Sequence, residues 1–282
     1  MYKESKWASE ILSLQNDDGA WGFFHTLSEP GKYPLTTEQA LRRLSILGYT
    51  IDDEPIQKAV SYMSDCLTGK KQIPDRHEKL HDWDIFTTLM LSTWVRRFTN
   101  DNIPANKTAE KWAKVISSAF LNSEYNHTEY MKAYHDILGM KPKGGRLIDF
   151  ANFYPVSLTA DMYDEKTEGN VFDYILGHKD GIYYIYGGTP LTVLPAVFNS
   201  KQASRYLGAI ELLTAYKRNL NKFGFIHDWI MINRNENGKW DMGSNVNDKI
   251  YFPLSNSWRR SEIREMDCTY RIQKLLNSII CT

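Results

Sequence analysis

The stretch Gln15-Asn16-Asp17-Asp18-Gly19-Ala20-Trp21 constrains this chain more than any other, because it sets a turn-former and a large wedge between two helical segments. Glycine accepts the backbone angles of a tight reversal. An amide side chain satisfies backbone groups left free at a helix end, and an indole brings a broad apolar face with one donor. Apolar residues recur at helical spacing from Trp7 to Leu14 before the stretch and from Thr37 to Leu47 after it. It therefore reads as the corner of a helical hairpin. Asn237-Gly238-Lys239-Trp240 is a looser copy near the other end of the chain.

Helical periodicity dominates the rest. The spacing predicts helices over 4–14, 37–47, 54–67, 83–98, 106–121, 128–138, 155–163, 167–176, 191–198, 201–217 and 261–280, with a twelfth over 225–232. Gly48, Gly69, Gly139 and Gly177 follow helix ends, while Pro55 and Pro155 stand where a first turn accepts proline. The exception is the β-prone, glycine-bounded run over 181–188, which predicts a short hairpin. No low-complexity linker divides the chain, so the expectation is one domain over 1–282, its helices paired into six hairpins.

The corner resembles the tryptophan-turn (QW) repeats of the terpene cyclase and protein prenyltransferase superfamily, which includes the squalene-cyclase-like proteins. In that family a threonine-led inner helix follows the turn, ends in Leu-Gly-Tyr and gives way to a proline-started outer helix. Here the matching residues are Thr36-Thr37-Glu38-Gln39-Ala40-Leu41, Leu47-Gly48-Tyr49 and Asp53-Glu54-Pro55-Ile56. The likeness is close over 5–67 and faint over 221–280. It implies an all-α fold, a single-domain (α/α)6 toroid built as a barrel of helical hairpins. It also implies an isoprenoid or other apolar small-molecule ligand in a central aromatic cavity. If the protein is catalytic, the resemblance implies a proton-initiated class II cyclase-like isomerase or lyase. Tyr33, Trp83, Phe86, Phe153, Tyr154, Tyr184, Tyr186 and Trp258 are the candidate cavity rings, whose negative faces suit a carbocation. The same rings also suit a helical core.

Two carboxylates stand two apart in His81-Asp82-Trp83-Asp84-Ile85. Class II cyclases carry Asp-x-Asp-Asp near such a helix start, which makes Asp84 the candidate acid and Asp82 its partner; Ile85 replaces the last aspartate. That chemistry needs a carboxylic acid kept protonated by burial and by a neighbouring negative charge. Helix capping by the same carboxylates is the alternative. Just before them, His77-Glu78-Lys79-Leu80-His81 matches a zinc-protease motif, but Pro74-Asp75-Arg76 and Lys79 read as a solvated loop rather than a half-buried helix. Prenyltransferases bind zinc through an Asp-x-Cys pair and a distant histidine. The counterparts here are Asp267, Cys268 and His227, and adjacent residues diverge by about 100° on a helix. The expectation is no cofactor, with zinc as the minor reading. Lys141-Pro142-Lys143-Gly144-Gly145-Arg146 is a basic turn that also suits a diphosphate.

Composition limits the partners. Lys plus Arg equals Asp plus Glu at 34 each, so no overall field favours nucleic acid or an anionic membrane. No run approaches the roughly 18 apolar residues of a membrane span. Cys66, Cys268 and Cys281 are odd in number and scattered, and the start carries no apolar leader, so a cytoplasmic protein is expected. Nucleotide-binding glycine loops and Gly-x-Ser-x-Gly are absent. Two other functional classes suit the same fold. One is a carbohydrate-active hydrolase or lyase using separated carboxylates such as Asp84 and Asp267; the other is a non-catalytic binding toroid.

Overall fold

Local sequence signals place the elements where capping chemistry allows. The computed structural model describes residues 2–26, 34–77, 79, 81–139 and 146–280. Over those residues the protein is mostly helical (56%), with eleven α-helices and one short two-stranded antiparallel sheet. The helices are α1 (Lys6–Leu12), α2 (Thr37–Ile46), α3 (Glu54–Leu67), α4 (Trp83–Arg96), α5 (Ile103–Ser118), α6 (His127–Leu138), α7 (Phe153–Leu158), α8 (Glu165–Gly177), α9 (Lys201–Leu213), α10 (Gly224–Ile232) and α11 (Ser261–Ile280). Thr36 and Gln39 form a reciprocal capping box on α2. Asn102 Oδ1 accepts the Ala105 amide at 3.0 Å, so α5 starts at Ile103, ahead of the sequence expectation, with Pro104 tolerated in its first turn. β1 (Gly181–Ile182) pairs antiparallel with β2 (Tyr186–Gly187) in the register Gly181↔Gly187, as the 181–188 run predicts.

The helix expected over 191–198 is absent: those residues form turns. The reason lies in one carbonyl. In a helix, Leu191 O would accept the amide of residue 195, which is proline and has none. The Tyr206 hydroxyl donates to that oxygen instead, at 2.8 Å. The segment expected to extend helix 201–217 likewise stops at Leu213, and a 3-10 helix follows over Lys217–Phe223.

The chain divides into two compact units, Met1–Ala109 with Asn247–Ser257, and Glu110–Val246 with Trp258–Thr282. In the first, α1 packs on α2 and α3 on α4. The segment 247–257 is tied in by side chains of the N-terminal helices. Arg43 Nη1 donates to Ile250 O at 2.8 Å and its Nη2 to Pro253 O; Trp7 Nε1 donates to Ser255 O at 2.8 Å. In the second unit, α10 packs on α11, α7 on α9, and α8 on the 3-10 helix. Arg271, 6% exposed, joins α11 to α9 through Glu211 Oε1 (2.6 Å), Ser204 Oγ (2.9 Å) and Ser204 O (2.9 Å).

Each unit contains one tryptophan corner, and the two are built alike. The Trp21 indole donates to Ile11 O at 2.7 Å and the Trp240 indole to Ile230 O at 2.8 Å, ten residues back in both cases. The Trp21 amide donates to Thr37 Oγ1 and the Trp240 amide to Thr269 Oγ1, at 2.9 and 3.1 Å. Asn16 N bonds Ala20 O, and Asn235 N bonds Lys239 O. Gln15 Nε2 donates to Gly19 O at 3.0 Å; at the other corner Arg234 Nε donates to Gly238 O at 2.8 Å. An arginine thus does the work of the glutamine, which is why the second copy looks degraded in sequence while its geometry is intact.

Gly19 has φ +95°, and a Cβ there would lie 2.4 Å from the Lys58 carbonyl oxygen on α3. At Gly238, φ is +74° and the nearest atom to such a Cβ is the end of the flexible Arg234 side chain, at 2.8 Å. Gly19→Ala is therefore expected to lose about 2–3 kcal/mol, a backbone clash added to a left-handed conformation, and Gly238→Ala about 1–2 kcal/mol from the conformation alone. Urea unfolding of both variants measures the difference; equal losses would contradict the contact with α3.

Candidate functional site

Helix α4 organises the charged cluster of the first unit. Its buried residues cover most of its circumference, and Phe86, Met90 and Trp94, spaced by four, lie on one face, each 0% exposed. They are core, with a ring cluster at one end and a charge cluster at the other. At the N-terminal end, His81 stacks on Phe86 (4.5 Å between centroids, 12°) and His25 meets its edge (5.1 Å, 83°). His77 stacks on Trp83 at 5.4 Å. Asp75 accepts the Phe24 and His25 amides at 2.6 and 2.8 Å, holding the strand of chain beyond the first corner.

At the C-terminal end, Glu38 of α2 is 1% exposed and takes three donors: Thr26 N at 3.2 Å, Arg42 Nη2 at 3.3 Å and the Trp94 indole at 3.3 Å. Two guanidinium groups lie against the one indole. Arg42 sits 5.6 Å and Arg97 5.3 Å from the Trp94 ring centre, both within cation–π reach. Arg97 is exposed, and crowding by neighbouring protein atoms pushes its guanidinium down to about 10, with Arg42 adding to the fall and Tyr251 and Glu38 opposing it. The group stays protonated at neutral pH. Among the described residues the Arg42 and Arg97 guanidinium groups and the Glu38 carboxylate meet at the Trp94 ring, and guanidinium groups of this kind suit hydrogen bonds to an anionic ligand group.

The residues singled out from sequence fall as follows. Asp82 caps α4, its carboxylate accepting the Ile85 amide at 3.4 Å, and Asp84 is exposed in the first turn, outside the burial that a proton donor of this kind requires. Trp83 and Phe86 lie in the first unit. In the second, Tyr154 is within 5.3 Å of Phe153 and 5.4 Å of Tyr184, while Tyr186 meets Tyr206 at 5.4 Å. The Trp258 indole donates to Asp267 Oδ2 at 2.7 Å, and Asp267 is 0% exposed. Cys268 is buried, which pushes its thiol up to about 12, and His227 pairs with its neighbour Asp228 at 3.2 Å. Among the described residues no three His, Cys, Asp or Glu side chains gather as a metal site. Tyr33, Glu78, 141–145 and Cys281 lie outside the described residues.

The sequence reading did not single out Glu38, Arg42 or Arg97. Glu38 and Arg42, four apart on a helix, have the spacing of a surface ion pair, and Arg97 that of a cation at a helix C-terminus. Their role shows only once Trp94 is placed between them. Among the described residues no helix is long and apolar enough to cross a membrane. No protein-family model, curated protein or solved structure matches the chain.

Proposed function

We propose that this chain is a ligand-binding α/α toroid of the terpene cyclase and prenyltransferase type, and that the site between α2 and the end of α4 receives an anionic group carried by its ligand. The observation that carries the reading is the convergence of Arg42 and Arg97 on Trp94 beside the buried Glu38. Two tryptophan corners with the same hydrogen bonds, one near each end of the chain, support the repeat architecture. The family resemblance supplies the rest of the ligand, an isoprenoid or other apolar body. Proton-initiated chemistry at Asp84 is the weaker part of that resemblance: the carboxylate is accessible and Ile85 stands where its third partner belongs. Binding, with or without turnover, is the activity this site favours.

Calorimetry with geranylgeranyl phosphate, palmitate and the neutral alcohol geranylgeraniol tests the proposal. Arg97→Gln is expected to weaken the two anions by about 10- to 100-fold, the value of a charge-assisted hydrogen bond, and to leave the alcohol unchanged. Equal binding of alcohol and anions to the unaltered protein, or anion binding that ignores Arg97→Gln, would sink it.

A further inference from the structure

The first tryptophan corner has a second use. A groove of about 370 Å³ lies along it, lined among others by Asn16, Asp18, Phe23, Tyr62, Lys71 and Gln72. Its base is rigid. Gly19 is fitted against α3, Gln15 ties the turn to Pro55 O at 2.8 Å, and Trp21 is 1% exposed and fixed at both nitrogens. Asp18 Oδ1 accepts the Ala20 amide at 3.0 Å, which holds its carboxylate in place. The Tyr62 hydroxyl is engaged with Cys66, one turn along α3, and the Lys71 ammonium lies 5.6 Å from its ring centre. Among the described residues the side-chain amides of Asn16 and Gln72 make no hydrogen bond, and both residues are exposed.

The corresponding surface of the second corner is closed by its own side chains. Asp241 stands where Gly22 stands, and Arg264 grips its carboxylate at 2.6 and 2.7 Å. Lys239 pairs with Glu265 at 3.3 Å, and Asn235 Nδ2 donates to the same Glu265 at 2.5 Å. The corner's architecture therefore does not require an open, polar groove; at the first corner Gly22 and the side chain of Asn16, which makes no hydrogen bond among the described residues, stand where Asp241 and Asn235 are engaged at the second.

We propose that this groove binds one or two neutral pyranose rings. Asn16 and Gln72 each offer a donor and an acceptor, Asp18 accepts from paired hydroxyls, and Phe23 with Pro74 presents flat apolar surface to a C–H face. The Lys71 ammonium is answered by Asp65 at 3.7 Å, so among its described residues the groove offers an anionic ligand no unpaired cation, which separates it from the Arg42–Arg97 cluster. The volume lies at the lower end of the range for small-molecule sites. The groove stands apart from the Arg42–Arg97 reading and does not depend on it.

Amide-detected NMR titration of the full chain with glucose, mannose, galactose, maltose and cellobiose tests the inference, with glucuronate and alanine as charged and zwitterionic comparisons. At least one neutral sugar is expected to shift residues of 16–23 and 71–74 with Kd of about 1 mM. Asn16→Ala and Gln72→Ala, both at exposed side chains without structural bonds, are each expected to weaken it about fivefold or more, and Arg97→Gln to leave it unchanged. The inference is overturned if all five sugars leave the groove unshifted, if alanine or glucuronate binds there more tightly than the sugars, or if the two amide variants bind as the unaltered chain does.

Discussion

Replacing Trp21 by alanine is expected to lower the stability of the protein by about 3–5 kcal/mol, the cost of truncating a large aromatic that leaves a cavity behind. The indole is 1% exposed, and its Nε1–H satisfies the Ile11 carbonyl at the end of α1, so the variant also strips a partner from a helix terminus. Trp240→Ala is expected to cost a similar amount, because the ring is 3% exposed and makes the same bond to Ile230. Urea unfolding monitored by helical circular dichroism measures both. A loss below about 1 kcal/mol for either would mean that the corner is ornament and not a wedge. A large loss for Trp21 with none for Trp240 would mean that the two corners share hydrogen bonds and not function.

Glu38→Ala is expected to be nearly as damaging, at about 3–5 kcal/mol, for an electrostatic reason. The change removes a carboxylate that serves Thr26 N, Arg42 and the Trp94 indole, and it leaves Arg42 beside Arg97 with less negative charge to offset their repulsion. Glu38→Gln keeps the volume and one acceptor oxygen, for the Arg42 and Trp94 donors, while its NH2 faces the Thr26 amide, so it should recover only part of the loss and separate the packing contribution from the charge. Thermal and urea unfolding of the two variants provide the readout. Arg42→Gln placed on top of Glu38→Ala should then be less damaging than the sum of the two single changes, since the carboxylate and guanidinium answer one another. Strict additivity would show that Glu38 and Arg42 are neighbours without being coupled.

The corners were legible because glycine and tryptophan do things few other residues can: one accepts a left-handed conformation with α3 against it, the other fills a hairpin end and donates once. The second corner was only half legible, since Arg234 replaces the glutamine while its Nε keeps the bond to Gly238 O. Helix positions followed capping chemistry, as at Thr36 and Asn126. The 191–198 segment is not helical because its apolar periodicity is outweighed by Pro195, and the decisive carbonyl is satisfied by Tyr206, remote enough in sequence to leave no local trace.

The charged site was almost illegible. Asp75, inside Pro74-Asp75-Arg76, reads as a solvated loop residue, yet it is 7% exposed and anchors two backbone amides fifty positions away. The histidines before α4 read as a loop rather than a metal site, and the structure sets each, outside any helix, against an aromatic ring. The aspartates at the start of α4 read either as caps or as an acid pair, and Asp82 serves as the cap. Spacing along the chain reports which residue types are near one another on an element. It says nothing about which cations from different helices meet over a third residue, and the proposed site consists of that meeting.

The most direct test observes the two guanidinium groups themselves. In ¹⁵N-detected NMR of the arginine side chains, assigned with Arg42→Gln and Arg97→Gln, both Nε resonances are expected to shift together as geranylgeranyl phosphate is added and to stay in place with geranylgeraniol. Saturable binding of the phosphate that leaves both arginine signals unmoved would place the ligand elsewhere and contradict the account.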